Sequence, residues 1–332
     1  MIREVGAGTG NAPRVAGFGQ VASMADRRFR VYNWPSTYRQ RIITPEDAVV
    51  HSIAISNMLL DRCIKLLMSA VFAIGLVTHA NANNDRWTEL KAVYFGDRDI
   101  SVSEDIITLE APARAHDAAT VPIVIKAVNP ESQIRQVHLI VDKNPLPLAG
   151  IFKFSGQASS WEWLETRIRI NEYTDVRAIA ELGDGSLHMT SRFIKAAGGC
   201  SAPAMADMDA AMARAGKLQI SLDTINNGGS SSAEAVIKIS HPNNSGMQFD
   251  QVSRNYIPAF FVQNITAELN GKTLIDVETN FSLSENPVVR FNFTPSLNPA
   301  HSATEMLVYA VDSKGNQYEK SLAVQYGSLL QQ

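Results

Sequence analysis

Two cysteines, Cys63 and Cys200, are the thiols of this 332-residue chain. That count excludes a disulfide-stapled mini-domain and a four-thiolate metal site. Cys200 has the more informative setting, because Gly198-Gly199 precede it and Ser201-Ala202-Pro203 follow. These are poor core neighbours, and the two glycines read as a hinge that leaves the sulfur unshielded. A helix expected just downstream puts partial positive charge near the thiol, which favours the thiolate. The pattern predicts an accessible, mobile, nucleophilic sulfur: a covalent attachment point on a tether. A buried structural cysteine is the bland alternative.

Other catalytic signatures are missing. No H-E-x-x-H, G-x-S-x-G or C-x-x-C occurs, and Gly271-Lys272-Thr273 has Thr266 where a phosphate-binding loop needs glycine. The seven histidines are scattered. His138 reads as a strand residue, while His188 and His241 are the ones whose approach to the thiol only a fold can decide. The chain is therefore expected not to be an enzyme and to carry no cofactor. A second reading makes it a copper module, with Cys200, Met205, Met208 and Met212 as soft ligands for Cu(I). Against it, methionines at spacings of three and four fall on one helix face, which is more simply explained by packing on a domain. A structural adaptor, with Cys200 forming only an intermolecular disulfide, is a third reading.

Composition narrows the class. Hydrophobic residues make up 45% and charged residues 19%, a globular balance rather than a disordered or coiled-coil one. Lys plus Arg number 30 against 33 Asp plus Glu, so no basic excess exists to neutralise a nucleic-acid backbone. One strongly apolar run, Leu66 to Val77, is too short to span a bilayer. Arg62 and Lys65 before it, and Ala80-Asn81-Ala82 after it, give it the form of a secretory signal peptide. Residues 58–82 are read as that signal, cleaved after Ala82, and residues 1–57 as a non-native or disordered extension. The expected location is the periplasm, with no membrane attachment after cleavage and Cys200 as the remaining thiol.

The elements that position Cys200 are expected to be strands. Val121, Ile123 and Ile125 recur with period two, as do Phe152 and Phe154, and Ile168 and Ile170. Turn signals separate them at Asn129-Pro130, Asn144-Pro145-Leu146-Pro147 and Gly183-Asp184-Gly185. The pattern restarts after residue 216 with Leu218, Ile220 and Leu222, then Ala235, Ile237 and Ile239. Asn270-Gly271 between two apolar runs is a strong hairpin signal. Val289, Phe291 and Phe293 alternate, and so do Leu307, Tyr309 and Val311. The reading is all-β: two immunoglobulin-like β-sandwich domains, residues 83–200 and 217–332, joined by a short helical linker at 201–216 and preceded by the signal helix. Pro203 early and Gly216 at the end bound that linker helix.

The ordered motifs resemble a known family. Val121-Pro122-Ile123, Asp142-Lys143-Asn144-Pro145-Leu146-Pro147, Thr166-Arg167-Ile168-Arg169-Ile170 and the Gly198-Gly199-Cys200 end are similar to SoxY, the thiol-bearing subunit of the SoxYZ carrier. Ile239-Ser240-His241-Pro242, Ile257-Pro258-Ala259-Phe260-Phe261, Asn270-Gly271-Lys272 and Ser284-Glu285-Asn286-Pro287 are similar to SoxZ. The chain thus resembles a fused SoxYZ-like carrier of the kind associated with quinoprotein dehydrogenases. The resemblance implies that the two sandwich domains pack on each other. It also implies that Cys200, with Gly198 and Gly199 as hinge, holds a sulfur intermediate for periplasmic redox or sulfur-handling enzymes, a quinoprotein dehydrogenase among them. This chain departs from the family where Ser201-Ala202-Pro203 continues into a linker, because the family arm ends the chain after further glycines. An arm fixed at both ends reaches less far than a free end.

Overall fold

The computed structural model describes residues 86–130, 132–155, 160–202, 208–227, 230–294 and 303–325. The expected extension 1–57 and signal 58–82 lie outside them. Among the described residues, no helix is long and apolar enough to cross a membrane.

A short helix, α1 (residues 86–95), opens the first half where strand was expected from Trp87 onward. Leu90 and Phe95 are buried in a small satellite core with Ile140, Ile179, Leu187 and Met189. Trp87, Leu90, Tyr94 and Phe95 recur at helical rather than strand spacing, the signal that a period-two reading passes over. Eight strands follow: β1 (Ile100–Val102), β2 (Ile107–Glu110), β3 (Val121–Ala127), β4 (Ile134–Val141), β5 (Leu148–Phe154), β6 (Trp163–Ile168), β7 (Thr174–Leu182) and β8 (Leu187–Ile194). The second half brings helix α2 (Met208–Arg214), then β9 (Lys217–Asn227), β10 (Ser230–Ser240), β11 (Phe249–Asp250), β12 (Asn255–Tyr256), β13 (Val262–Leu269), β14 (Lys272–Thr279), β15 (Val288–Phe293), β16 (Ala303–Asp312) and β17 (Gln317–Gln325).

The two halves do not merely touch; they share both sheets. One nine-stranded sheet runs β1-β8-β7-β4-β5-β14-β13-β16-β17, and a six-stranded sheet runs β2-β3-β6-β15-β10-β9. The seam is antiparallel in both layers. Phe152 and Phe154 of β5 stand opposite Val277 and Ile275 of β14, and Leu164 of β6 stands opposite Phe291 of β15. One apolar core runs from Ile107 to Ala310 between the layers. At its centre Phe154 stacks on Trp161 with centroids 4.5 Å apart and meets Phe291 edge-on at 6.3 Å. The all-β sandwich architecture is as expected, and its halves close on each other by strand pairing.

The alternation expected of Val121, Ile123 and Ile125, of Ala235, Ile237 and Ile239, and of Val289, Phe291 and Phe293 does face the core, because every one of these side chains is buried. Asn270 and Gly271 both take positive φ (52° and 72°), as a two-residue hairpin turn with right-handed strand twist demands. In β16 the face is reversed. Met306, Val308 and Ala310 are buried, whereas Tyr309 is 37% exposed and Leu307 and Val311 are half-buried. Both residue sets are apolar, so alternation alone does not say which faces inward.

α2 ends at Arg214, and Gly216 in the turn after it has a φ of +83° that suits a helix stop and donates its N–H to Ser240 O at 2.8 Å. The expectation of a methionine stripe packed on a domain is corrected at Met212, which is 41% exposed while Ala211 takes the buried side. Met205 lies outside the described residues, as does the expected start of the linker helix, and α2 is described over Met208–Arg214.

Candidate functional site

Cys200 lies in the segment that leaves β8, at the place where loops of both halves meet. Gly198 N–H donates to Asn171 O at 2.9 Å and Gly199 N–H to Ile170 O at 2.8 Å. The Gly199 carbonyl accepts from Arg169 Nη1 at 3.2 Å, and the Cys200 carbonyl accepts from Ser245 Oγ. Ser201 Oγ reaches back to Gly198 O at 3.3 Å. The segment is strapped down by a row of single hydrogen bonds.

Three expectations about this segment are corrected. The thiol is not accessible: Cys200 is free of any disulfide and 0% exposed. Nor is it activated, because burial pushes the thiol up to about 11, with the Arg169 charge opposing that rise. The helix expected next to it is described over Met208–Arg214, and the residues at its expected start, 203–207, lie outside the described residues. The glycines also do a different job from a free hinge in this closed form. A Cβ on Gly199 would stand 2.0 Å from the Ala118 carbonyl oxygen, so glycine is needed there for close approach of two backbones. Gly198 takes φ of +80° in open space and is the flexible member of the pair.

The covered stretch is nevertheless short. Gly198 and Ser201 on either side are exposed, so the covered stretch is Gly199 and Cys200 alone. Among the described residues, neither apolar core cluster includes Cys200. Polar groups hold its backbone. Arg169, 1% exposed, sends Nη1 to Gly199 O and Nη2 to Asn243 O at 3.4 Å. Burial lowers the Arg169 pKa, and Cys200, Glu285 and Asp117 act against that. Behind Arg169 the seam between halves continues in amides and hydroxyls. Asn144 Nδ2 donates to Arg169 O at 2.8 Å and to Ser282 Oγ at 3.2 Å. Arg169 N–H donates to Ser282 O at 2.7 Å.

His241, whose approach to the thiol the sequence left for the fold to decide, belongs to the same network one step removed. Its Nδ1 accepts from the Asn243 N–H at 3.0 Å, and Asn243 O is the acceptor for Arg169. Burial depresses its pKa to about 4, against the pull of Asp312, whose Oδ2 lies 3.8 Å from Nε2. His241 is therefore neutral and fixes a loop. His188 bonds within its own hairpin, its Nε2 3.2 Å from Ser186 Oγ. His138 is a strand residue as expected, 3.9 Å from Glu181. The sequence reading missed Arg169 and Ser245. Arg169 follows the last residue of β6 and is buried like Ile168 and Ile170, although its alternation with them in sequence reads as outward-facing.

For the copper reading, Cys200 is buried and Met212 exposed, while Met205 lies outside the described residues. Among the described residues, no group of three or more His, Cys, Asp or Glu side chains is placed to hold a metal ion. A groove of about 660 Å³ crosses the outer face of the six-stranded sheet. Its Arg290 is committed to Glu234 and Glu165 at 2.7 and 3.0 Å and stacks over Trp163.

Comparison with known proteins divides the chain at the same place. Residues 91–200 match the family model SoxY, described as sulfur oxidation protein SoxY, and residues 225–323 match SoxZ, described as sulphur oxidation protein SoxZ. No curated protein sequence matches. A solved structure of the sulfur carrier protein SoxY from Chlorobium limicola f thiosulfatophilum aligns at 19% identity. It covers 34% of this chain and 94% of its own, with a TM-score of 0.30, too low for any argument to rest on it.

Proposed function

Because this chain is a fused SoxYZ-like protein, with a SoxY domain followed by a SoxZ domain, we propose that it is a sulfur-oxidation carrier rather than an enzyme. Cys200 is its covalent attachment point, and the Gly198–Ser201 segment is the arm that presents it. The observation that carries this reading is positional. Cys200 is the last residue of the SoxY match and lies in a polar junction between the halves, outside the apolar cores.

The chemistry follows from the closed and open forms of the strap. Closed, the buried Sγ keeps its proton and is inert. Opening breaks the bonds from Ser245 and Arg169 and those of Gly198 and Gly199, each worth about 1 kcal/mol net. The thiol then regains water, and its pKa falls toward that of a free cysteine. Exchange with a partner's sulfur–sulfur bond loads the carrier: a new S–S bond forms at Cys200 Sγ as the partner's breaks, and the Sγ proton leaves with the displaced thiolate. Gly198 supplies the rotation, and Gly199 allows the segment to reseat against Ala118.

The reading extends to export through a signal at residues 58–82 with cleavage after Ala82, to action in the periplasm, and to service of sulfur-handling enzymes linked to a quinoprotein dehydrogenase. Intact mass before and after a reductant is the test, on protein exposed to its native partner extract with thiosulfate. A reductant-sensitive sulfur adduct, absent in Cys200→Ser, is expected. Free thiol throughout would defeat the reading.

A further inference from the structure

Arg169 is a cation in an unusual position. It is 1% exposed, yet among the described residues no carboxylate lies within ion-pair distance of its guanidinium. Its contacts are to two backbone carbonyls, Gly199 O and Asn243 O, and its Nε–H has no hydrogen-bond partner. Gly199 O belongs to the peptide bond that enters Cys200, so the guanidinium is held against the residue bearing the thiol. The molecule's other buried arginine shows the contrast. Arg177 has Asp142 as a carboxylate partner through Nε and Nη2 at 2.8–3.0 Å, with Trp87 stacked over it at 4.4 Å.

A second donor without a partner among the described residues belongs to the loop that holds the Cys200 carbonyl. Ser245, which holds the Cys200 carbonyl, receives its own backbone support from Gln248, whose Oε1 accepts from Ser245 N–H at 3.1 Å. Gln248 is 0% exposed and its Nε2 has no partner. A buried cation that holds Gly199 O and a buried amide that supports Ser245 therefore each keep a donor without a partner among the described residues, one step from the Cys200 backbone. Buried donors without acceptors cost stability unless a ligand completes them.

Building on the carrier reading, we propose that Arg169 is the binding residue for an anionic oxidised-sulfur group carried on Cys200 Sγ, a thiosulfonate or sulfonate, with Gln248 as its auxiliary donor. The negative charge of the cargo supplies a contacting counter-ion, where Glu285 and Asp117 act only from beyond ion-pair distance. The loaded strap therefore seats more firmly than one bearing a neutral group of similar size, and the cargo is shielded until a partner opens it. Guanidinium suits this task because its planar donors match the oxygens of a sulfonate and it stays charged when buried.

The test uses the full chain with Cys63→Ser, so that Cys200 is the sole thiol. Tetrathionate loads an anionic adduct: the Cys200 thiolate forms one S–S bond and displaces thiosulfate as the bond within tetrathionate breaks. Methyl methanethiosulfonate loads the neutral methyl disulfide, displacing methanesulfinate. Release of each adduct by dithiothreitol is followed by intact mass, in the folded protein and in urea. Folded wild type is expected to release the anionic adduct roughly tenfold or more slowly relative to the neutral one, after normalising to the unfolded chain. Arg169→Gln is expected to abolish that preference and Arg169→Lys to retain part of it. Because each variant is compared with itself, general loosening of the strap cancels. An anionic preference that survives Arg169→Gln would overturn this inference and leave the carrier reading standing. Failure of either reagent to modify folded wild type would overturn both.

Discussion

The two halves meet along two different seams. In the sheet seam, β5 pairs with β14 and β6 with β15, and Phe152, Phe154, Trp161 and Phe291 are all buried in one core. In the thiol seam, the Cys200 segment and the loop around Ser245 are joined through Arg169, Asn243 and single backbone bonds, with exposed residues on both flanks. Apolar interdigitation is cooperative and must be given up as a whole, whereas separate polar bonds are released a few at a time. The first seam makes two domains one body. The second leaves a place where that body opens without coming apart.

The largest effect is expected where the seams differ most. Phe291→Ala should cost about 3–5 kcal/mol of global stability, read by chemical denaturation, while leaving Cys200 alkylation under native conditions unchanged. A large rise in alkylation would mean that the two seams open together.

Acid comes next, acting on the thiol seam through His241. Burial holds this histidine neutral, with Asp312 favouring and Lys314 opposing its charge, and its pKa lies near 4. The unfolded chain takes up that proton near pH 6.5, so stability is complete above that value and falls as pH drops toward 4. The loss is on the order of 2–3 kcal/mol. His241→Asn, which keeps an acceptor for the Asn243 N–H, should flatten the stability profile across that window. An unchanged profile would assign the acid sensitivity elsewhere.

Gly199→Ala sharpens the comparison from the strap itself. The added methyl meets the Ala118 carbonyl oxygen at 2.0 Å, so the strap must lift. Alkylation of Cys200 should rise at least tenfold, with a global cost of about 1–3 kcal/mol typical of overpacking. A freely swinging hinge would tolerate the change with no rise. Ser245→Ala is the mildest probe. Losing one hydrogen bond to the Cys200 carbonyl, worth about 1 kcal/mol, should speed alkylation roughly fivefold; no change would remove Ser245 from the strap.

The sheet seam was far more legible in the sequence than the thiol seam. Val121, Ile123, Phe152 and Phe291 announce buried strand faces because alternation and burial are local and repetitive. Asn270-Gly271 announces its turn for the same reason. β16 shows the limit: Met306, Val308 and Ala310 compete with Leu307, Tyr309 and Val311, and only the facing sheet chooses between them. Cys200 stands out in the sequence by its count and neighbours, but the seating of its segment depends on Ala118, Arg169 and Ser245, which are distant in sequence. Gly199 looked like freedom and is a close approach, because a glycine's neighbours in space are what distinguish the two.

The central claim is that Cys200 reaches solvent through local opening of its strap while the shared sheets stay closed. It is tested most directly by the rate of Cys200 alkylation in native protein as denaturant is raised through low concentrations. The account predicts a nearly flat rate there, joining the steep global unfolding limb only near the transition. A rate that tracks global unfolding from the lowest denaturant upward would contradict it.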